Sequence, residues 1–345
     1  MAETSDVARV AQEICFDLYY KISKMRGKGV IMKEVAEKKK YKVPFWKTVR
    51  KHWMLLAMLA PAVIYVIIFS YIPMTGIVLA FKNYQYAGGI YGSPWNGLSN
   101  FKALLVAGKL GQVTRNTLLY NIAFLFLGVI FEMGSAILLN ELLGKVFKKV
   151  AQSFMFLPYF ISWVVAGAIM YNIFNYERGV FNHLLTLLGA EPFDLYNSPG
   201  AWPIVLIFLK LWKQTGYGSV VYLAAITGLD QEMFEAASID GASVWQKIRY
   251  ITIPSLMPTM MILVLMGIGN IFRGDFGLFY QTVKSSALLQ PVTDVIDTYV
   301  FRLLINNSDI GVSAAAGLYQ SVLCFLTITI CNKLVKKVDP DYALY

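Results

Sequence analysis

The amino-acid sequence predicts an all-α, polytopic membrane protein with six transmembrane helices. Of its 345 residues, 57% are hydrophobic and 15% are charged, which is more apolar than one soluble core requires. Six windows are long and apolar enough to cross a hydrocarbon layer of ~30 Å, and the alternating pattern of a membrane barrel is missing. The windows are residues 53–80, 116–143, 153–174, 202–226, 256–275 and 311–334.

The positive charge is distributed unevenly and predicts the orientation of the chain. The formal net charge is +10, and 21 of the 31 Lys and Arg residues lie in four segments that an even number of spans places on one side. These segments are residues 1–51, 144–152, 227–255 and 333–345. Because basic segments face the cytoplasm, both termini are expected to be cytoplasmic. The distribution argues against nucleic-acid binding, and no cleavable signal peptide is visible.

The spans divide the chain into three regions. Residues 1–51 are expected to form a basic cytoplasmic tail, residues 52–337 the transmembrane domain, and residues 338–345 a short cytoplasmic tail. Within the first tail, residues 6–23 place apolar side chains on one helical face, which is typical of an amphipathic helix on a membrane surface. The basic run that follows suits anionic lipid headgroups. A solvated arm without a specific role is an equally open interpretation.

The first three spans contain a predicted kink and a short connection. Pro61 and Pro73 interrupt the first span, and a membrane helix tolerates such residues by bending. A short loop with Lys145, Lys148 and Lys149 joins the second span to the third. This shortness predicts that the two spans are antiparallel neighbours.

The connection between the fourth and fifth spans, residues 228–254, contains helix signals rather than loop signals. Asp230 is a suitable N-cap for a short helix, and Gly241 supplies a turn after it. Ser243, with Gln three residues later, has the spacing of a capping box that starts a second short helix. Pro254 is expected to end that helix. Two short helices joined at a glycine form a compact cytoplasmic protrusion that a soluble partner can grip.

This connection resembles the EAA motif of permeases from binding-protein-dependent ABC importers, E-A-A-x3-G-x9-I-x-L-P. The departure from the pattern is Ile253, where the family usually has Leu, and it keeps the position apolar. The matching residues are Glu235, Ala236, Ala237, Gly241, Ile251 and Pro254. Asp240, which precedes the glycine, completes the set of residues assigned to ATPase coupling.

Further matches extend the resemblance over residues 53–337. They are Arg115-Asn116-Thr117, Pro158, Gly179 with Asn182, and Trp212-Lys213 with Gly216. Two other segments, residues 275–280 and 294–299, look like the carbohydrate branch, similar to the lipopolysaccharide-type and alginate-type permeases. They carry the expectation that the substrate is a sugar or oligosaccharide.

The resemblance implies a fold and a set of partners. The fold is that of an ABC importer permease with a cytoplasmic coupling-helix loop in the bacterial inner membrane. The partners are a second permease subunit of different sequence, two ABC ATPase subunits, an extracytoplasmic solute-binding protein, a saccharide and membrane lipid. No enzymatic activity, cofactor or metal is expected in this chain, because ATP and Mg belong to the ATPase subunits. The sequence agrees, since it contains no GxxxxGK[ST] phosphate loop.

Polar and aromatic residues within the spans are candidates for a substrate pathway, because intramembrane charges usually face a cavity or a partner. Glu132 and Lys210 are two such charges. The candidate pathway residues are Trp163, Tyr171, Lys213, Tyr217, Asn270, Arg273, Asp275 and Tyr280. An alternative interpretation has Arg273 and Asp275 pairing locally, the lysines extending towards the interface, and the aromatics forming an interfacial belt. The family-like position of Lys213 favours a structural role.

Other functions remain open on the sequence alone. A secondary transporter without ATPase partners is the main alternative, although no internal repeat is visible. A membrane-embedded enzyme is disfavoured, because His52 and His183 lie near opposite membrane faces and no HExxH or GxSxG motif occurs. The first external loop, residues 81–115, has four basic residues and no acidic one. It suits an acidic saccharide, an acidic binding protein or lipid headgroups equally well.

Overall fold

The structure, a computed structural model, describes residue 50 and residues 52–142, 144–284, 286–306 and 308–338. Within these ranges the chain is helical, and its only β-type pairing is an isolated bridge between Lys82 and Trp95. The all-α prediction is confirmed. The amphipathic helix expected over residues 6–23 lies outside the described part, as does the C-terminal tail beyond residue 338.

The chain divides into two compact units, Met1–Pro73 and Met74–Tyr345. In the first unit, helix α1 (Trp53–Val66) contains Pro61 and continues into a π-helical turn, Ile67–Tyr71. The π-turn ends two residues before Pro73. Local π geometry is one way in which a membrane helix accommodates a residue without an N–H donor. The predicted disruption near Pro73 therefore takes the form of a π-turn.

The second unit is built from helices that are joined by short connections. The α-helices are α2 Ser99–Val106, α3 Leu110–Glu141, α4 Lys145–Phe156, α5 Trp163–Phe174, α6 Val180–Leu187, α7 Trp202–Thr227, α8 Gln231–Ile239, α9 Val244–Lys247, α10 Ile253–Gly269, α11 Phe276–Val283, α12 Gln290–Thr293, α13 Ile296–Ile305 and α14 Ile310–Val338. Shorter helical turns include Thr75–Phe81, Gly89–Gly92, Leu157–Phe160, Leu195–Asn197 and Pro199–Ala201.

Length and apolar composition identify fewer spans than the predicted six. Among the described residues, four helices can cross a membrane: Trp53–Phe81, Leu110–Glu141, Val244–Gly269 and Ile310–Lys337. A fifth candidate is the pair Lys145–Phe160 and Trp163–Phe174, whose halves are bent by 96°. Helix α7 has 26 residues and a length of about 39 Å, but Lys210, Lys213 and Gln214 lie in its middle. The count of six is therefore not reproduced by this criterion.

The third predicted span differs from its expectation in two respects. The basic loop expected before it is the first part of helix α4. The span is also broken, because the chain leaves the helix after Phe160 and a new helix, α5, begins after Ser162. The Ser162 hydroxyl accepts a hydrogen bond from the backbone N–H of Val165 at 3.3 Å. An N-cap residue has extended backbone geometry, so Ser162 starts a helix in a new direction.

The entry into the fifth span also corrects a prediction. Pro254 does not end the helix, since residues Val244–Gly269 run without interruption. A π-turn, Ile248–Thr252, lies between α9 and α10 and ends two residues before Pro254. This is the same arrangement as at Pro73. In both places the altered hydrogen-bond register replaces the break that a proline causes in a regular helix.

Three clusters of buried side chains stabilise the second unit. The first joins α3, α5, α7 and α11 around Trp202 and Phe279. The second joins α2, α3, α13 and α14, and the third joins α3, α7 and α10 around Tyr222 and Leu256. Helix α3 contributes to all three clusters and α7 to two of them. The pair α3 and α7 therefore forms the wall against which the functional site is built.

Candidate functional site

The coupling segment, residues 228–254, contains the two short helices that its sequence predicts. Asp230 is the N-cap of α8, and its carboxylate accepts a hydrogen bond from the backbone N–H of Glu232 at 2.9 Å. Ser243 and Gln246 form a complete capping box at the start of α9. The ammonium group of Lys247 donates to the Ser238 hydroxyl at 3.0 Å and joins the two helices. These local predictions are confirmed.

Gly241 makes the turn between α8 and α9 with a backbone φ of +79°. This left-handed conformation is accessible to glycine and costly for a β-branched residue. The backbone N–H of Ala242 donates back to the carbonyl of Ala237 at 2.9 Å and closes the end of α8. Ile239 and Trp245 are exposed to 86% and 67%, so the segment presents apolar side chains on its surface.

The structure divides the predicted coupling residues between two places. Glu235, Ala236, Ala237, Asp240 and Gly241 lie on α8 and in the turn that follows it. Ile251 and Pro254 lie instead in the π-turn and the first turn of α10, at the start of the span. The EAA pattern therefore covers both the exposed segment and the helix that connects it to the membrane domain.

A cavity of about 540 Å³ lies among α3, α7, α10 and residues 270–275. Four of the eight predicted pathway residues line it, namely Tyr217, Asn270, Arg273 and Asp275. Its polar walls also include Glu132 and Lys210, which the sequence analysis names as intramembrane charges. The wall residues that the prediction omitted are Asn121, Gln214 and Tyr222.

An ion pair inside this cavity differs from the alternative interpretation, in which Arg273 pairs with Asp275. The ammonium group of Lys210 lies 2.7 Å from Asp275 Oδ2, and both side chains are mostly buried. Trp163 Nε1 donates to the same oxygen at 3.2 Å. Asp275 Oδ1 accepts a hydrogen bond from the backbone N–H of Leu278 and caps α11. One carboxylate thus connects α5, α7 and α11.

Lys213 does not line the cavity but stabilises the break in the third span. Its ammonium group donates to the carbonyl oxygens of Tyr159 at 2.7 Å and Pro158 at 3.4 Å, and also to that of Ile161. The last carbonyls of a helix have no partner within the helix and require donors from elsewhere. Lys213 supplies these donors, which is consistent with a structural role.

Three other candidates, Trp163, Tyr171 and Tyr280, also lie outside the cavity wall. Trp163 reaches it indirectly, through its hydrogen bond to Asp275. The Tyr171 ring has the ammonium group of Lys284 3.3 Å from its centroid. Tyr280 stacks on the ring of Phe276 at 4.9 Å. These aromatic residues pack against neighbouring groups rather than around the 540 Å³ space.

Lys82, one of four basic residues in the first external loop, is buried rather than available to a charged ligand. It is 4% exposed, and its ammonium group donates to the carbonyls of Ile90 and Tyr91. Lys82 therefore fixes the loop, and the surface of this loop has one positive charge fewer than the sequence suggests.

The cavity residues, including those that the prediction missed, share a helical signal. On α7, Lys210, Gln214, Tyr217 and Val221 recur at spacings of three and four and occupy one face, and Tyr222 follows directly. On α3, Asn121 and Glu132 are eleven residues apart, which is three turns on the same face. A search for a polar stripe along each span would have found both faces.

Comparison with known proteins identifies the class of this arrangement. Residues 125–340 match the family described as "Binding-protein-dependent transport system inner membrane component". The chain belongs to this family. It is also 32% identical over 292 residues to Protein LplB of Bacillus subtilis (strain 168), which covers 85% of this chain and 91% of that protein.

Another relative and a solved structure extend the similarity. The chain is 31% identical over 310 residues to the polygalacturonan/rhamnogalacturonan transport system permease protein YteP of Bacillus subtilis (strain 168), covering 89% of this chain and 95% of that one. A bacterial alginate ABC transporter, solved in complex with an alginate pentasaccharide-bound periplasmic protein, superposes with a TM-score of 0.77. The identity is 29%, over 85% of this chain and 98% of the matched chain.

Family membership settles the general role of the chain. It is a permease subunit of an ABC importer and a multi-pass component of the inner membrane. Its role is transport, and the importer it belongs to depends on a binding protein. The alternative of a secondary transporter without ATPase partners finds no support among these relatives.

Proposed function

We propose that this permease passes a sugar or oligosaccharide, delivered by an extracytoplasmic solute-binding protein, through the cavity between α3, α7 and α10. The observation that carries the proposal is the cavity wall, where amide, carboxylate, ammonium and phenol groups lie inside a membrane domain. Saccharides bind through such hydrogen-bonding groups together with aromatic faces. The relatives named for polygalacturonan, rhamnogalacturonan and alginate support this substrate class.

The proposed driving force comes from two ABC ATPase subunits that hold ATP and Mg²⁺. An ATPase subunit binds to the coupling segment, and we call its binding surface the seat. Residues Glu235, Ala236, Ala237, Asp240 and Gly241 form the seat, and Ile251 and Pro254 connect it to α10. The exposed Ile239 and Trp245 side chains support this role, since an interface requires apolar anchors at its centre. A rigid segment that continues into α10 can transmit movement of an ATPase subunit to the cavity wall.

The assembly that we propose contains a second permease subunit of different sequence. We also propose that both termini of this chain are cytoplasmic. The 21 basic residues in four same-sided segments support the orientation. In the same scheme, residues 1–51 form a cytoplasmic tail next to anionic lipid headgroups, and residues 52–337 form the membrane domain. The short segment 338–345 is then the cytoplasmic C-terminal tail.

The coupling proposal is tested by reversing one charge on α8. We expect Glu235→Arg to reduce the amount of ATPase that copurifies with the tagged permease by about tenfold, because the substitution lies at the centre of the seat. The matched control is Glu191→Arg, which changes an exposed Glu outside the coupling segment. The assay coexpresses the chain with its partner permease and ATPase subunits and measures their ratio after purification.

The same preparations, reconstituted into proteoliposomes with the solute-binding protein, test the substrate class. We expect ATP-dependent uptake of at least one probe among trigalacturonate, an alginate pentasaccharide and maltotriose. Normal ATPase recovery with Glu235→Arg contradicts the coupling seat. Failure of the unmodified complex to take up any of the three saccharides contradicts the substrate class.

A further inference from the structure

A buried hydroxyl group without a partner lies at one end of the cavity. Tyr222 on α7 is 0% exposed, and its phenol oxygen is a buried side-chain polar atom that makes no hydrogen bond within the described residues. Most buried polar groups in folded proteins are hydrogen-bonded, so an unsatisfied one requires an explanation. Tyr222 also lines the cavity wall. A ligand that reaches this part of the wall therefore meets a residue whose hydroxyl has no partner within the described residues.

A carboxylate lies beside this hydroxyl. Glu132 on α3 is partly buried, and across the part of the chain that the structure describes it forms no hydrogen bond and no ion pair of 4 Å or less. Its carboxyl group lies against the Gly218 position of α7, about one helical turn before Tyr222. The nearest cationic residue in the cavity, Lys210, is already paired with Asp275 at 2.7 Å.

Gly218 makes room for the Glu132 carboxyl group against α7. A Cβ atom at position 218 would lie 2.0 Å from the carboxyl carbon of Glu132, which is far inside van der Waals contact. The absence of a side chain at this position allows the carboxylate to lie between α3 and α7 instead of turning away. Glu132 and Tyr222 thus line the same end of the cavity, near the end of α7 that precedes the coupling segment.

We propose that Glu132 and Tyr222 form a subsite for the hydroxyl groups of one sugar ring. This inference rests on the proposed function and adds the recognition chemistry at the end of the cavity nearer the coupling segment. The carboxylate of Glu132 accepts hydrogen bonds from two neighbouring hydroxyls, and the Tyr222 hydroxyl exchanges a hydrogen bond with a third or with the ring oxygen. A ring bound here turns its hydroxyl groups, rather than any carboxylate that it carries, towards Glu132, because a second negative charge beside Glu132 is repelled.

The opposite end of the cavity differs in charge. Asn121 lies eleven residues before Glu132, a distance of about 16 Å along α3. At that end Arg273 lines the wall, and Asn121 donates to the carbonyl oxygens of Ile271 and Arg273 at 2.9 Å. An oligosaccharide that spans the cavity therefore meets a cationic group at one end and a carboxylate at the other. The Glu132 end selects for hydroxyls independently of any acidic unit bound further away.

Two conservative substitutions test the subsite. Tyr222→Phe removes the hydroxyl alone, and Glu132→Gln removes the charge at constant shape. We measure uptake in proteoliposomes that contain the complete transporter and its binding protein. We expect each variant to raise the KM for uptake of the transported probe by about tenfold to a hundredfold, because this factor corresponds to the free energy of one hydrogen bond to a charged or buried group. The matched controls, Tyr176→Phe and Glu141→Gln, change exposed residues and are expected to keep the KM of the unmodified transporter.

Thermal unfolding separates loss of binding from loss of folding. Without saccharide, Tyr222→Phe is expected to unfold at the same or a higher temperature than the unmodified complex, since it removes a buried group that has no partner. With saturating trigalacturonate, alginate pentasaccharide or maltotriose, whichever is transported, the stabilisation seen in the unmodified complex is expected to be reduced in this variant. Gly218→Ala is expected to act like Glu132→Gln, because it displaces the carboxylate.

The outcomes distinguish this inference from the function on which it rests. If the unmodified transporter takes up a probe and both substitutions leave its KM and its ligand-induced stabilisation unchanged, the subsite is overturned while the proposed function stands. If the unmodified transporter takes up none of the probes, both are overturned. A raised KM in Tyr222→Phe and Glu132→Gln, with normal controls, supports the subsite.

Discussion

Asp275 carries more structural contacts than any other single carboxylate in the cavity wall. It accepts hydrogen bonds from Lys210 and Trp163 through one oxygen and from the Leu278 N–H through the other. A charged group in a membrane domain is stable only when it is paired or solvated. Asp275 therefore fixes the relative positions of α5, α7 and α11 and keeps Lys210 neutralised in the cavity.

We expect Asp275→Asn to destabilise the folded permease by about 2 kcal/mol, because it leaves the Lys210 ammonium group mostly buried without a counter-ion. The measurement is thermal or denaturant unfolding of the purified complex. The double variant Lys210→Met with Asp275→Asn is expected to recover part of this loss, since it removes the unpaired charge. Equal destabilisation in the single and double variants would show that the ion pair contributes little.

Half of the candidate pathway residues, which were chosen by residue type, line the cavity. Helix geometry explains why the other half do not. Tyr217 lies on the cavity face of α7, whereas Lys213, four residues earlier, is directed to the carbonyls of the broken span. Both are polar or aromatic residues at similar depth. Sequence gives the depth of a residue in a span, but the direction of its side chain depends on how neighbouring helices pack.

At the scale of elements, the contact between α7 and α4 depends on a close backbone approach. A Cβ atom at Gly216 would lie 1.9 Å from the carbonyl oxygen of Met155 and 2.4 Å from its carbonyl carbon. Small residues allow membrane helices to approach closely in this way. Since backbone atoms cannot turn aside as a flexible side chain can, Gly216 sets the position of the first half of the broken span.

We therefore expect Gly216→Ala to force α4 away from α7 and to destabilise the protein by about 1–3 kcal/mol, as overpacking does in a closely packed interior. Unfolding of the purified complex measures the effect. The matched control is Gly111→Ala near the start of α3, where a Cβ would have no neighbour within 4 Å and no loss is expected. A neutral Gly216→Ala would indicate that the two helices are not held at this separation.

The elements that sequence predicted well are those determined by local hydrogen bonds. The N-cap at Asp230, the turn at Gly241 and the capping box at Ser243 each involve residues within five positions of one another. The 96° break of the third span and the π-turn before Pro254 were not predicted. The break is stabilised by Lys213, more than fifty residues away, and no local pattern contains that information.

At the scale of the whole molecule, the coupling segment is joined directly to two helices that line the cavity, α7 before it and α10 after it. Tyr222 lies near the end of α7, shortly before the segment begins, and Leu263 in α10 follows the segment and lines the same cavity. Because α9, the π-turn and α10 form one continuous helix, movement of the segment is transmitted to the cavity wall without an intervening loop. In the function that we propose, this continuity is the physical basis for coupling ATP hydrolysis to transport.

The same continuity makes the geometry of the Gly241 turn decisive for coupling. We expect Gly241→Val to lower saccharide uptake per ATP hydrolysed by about tenfold, because a β-branched side chain at φ of +79° is strained by roughly 1–3 kcal/mol and the turn must rearrange. Gly241→Asn is the matched control, since asparagine tolerates the left-handed region and is expected to retain most of the coupling. Proteoliposomes containing the complete transporter give both rates, and membrane insertion is checked by the yield of the purified complex. If the valine variant transports as well as the asparagine variant, a rigid turn between α8 and α9 is not required, and movement must reach α10 by another route.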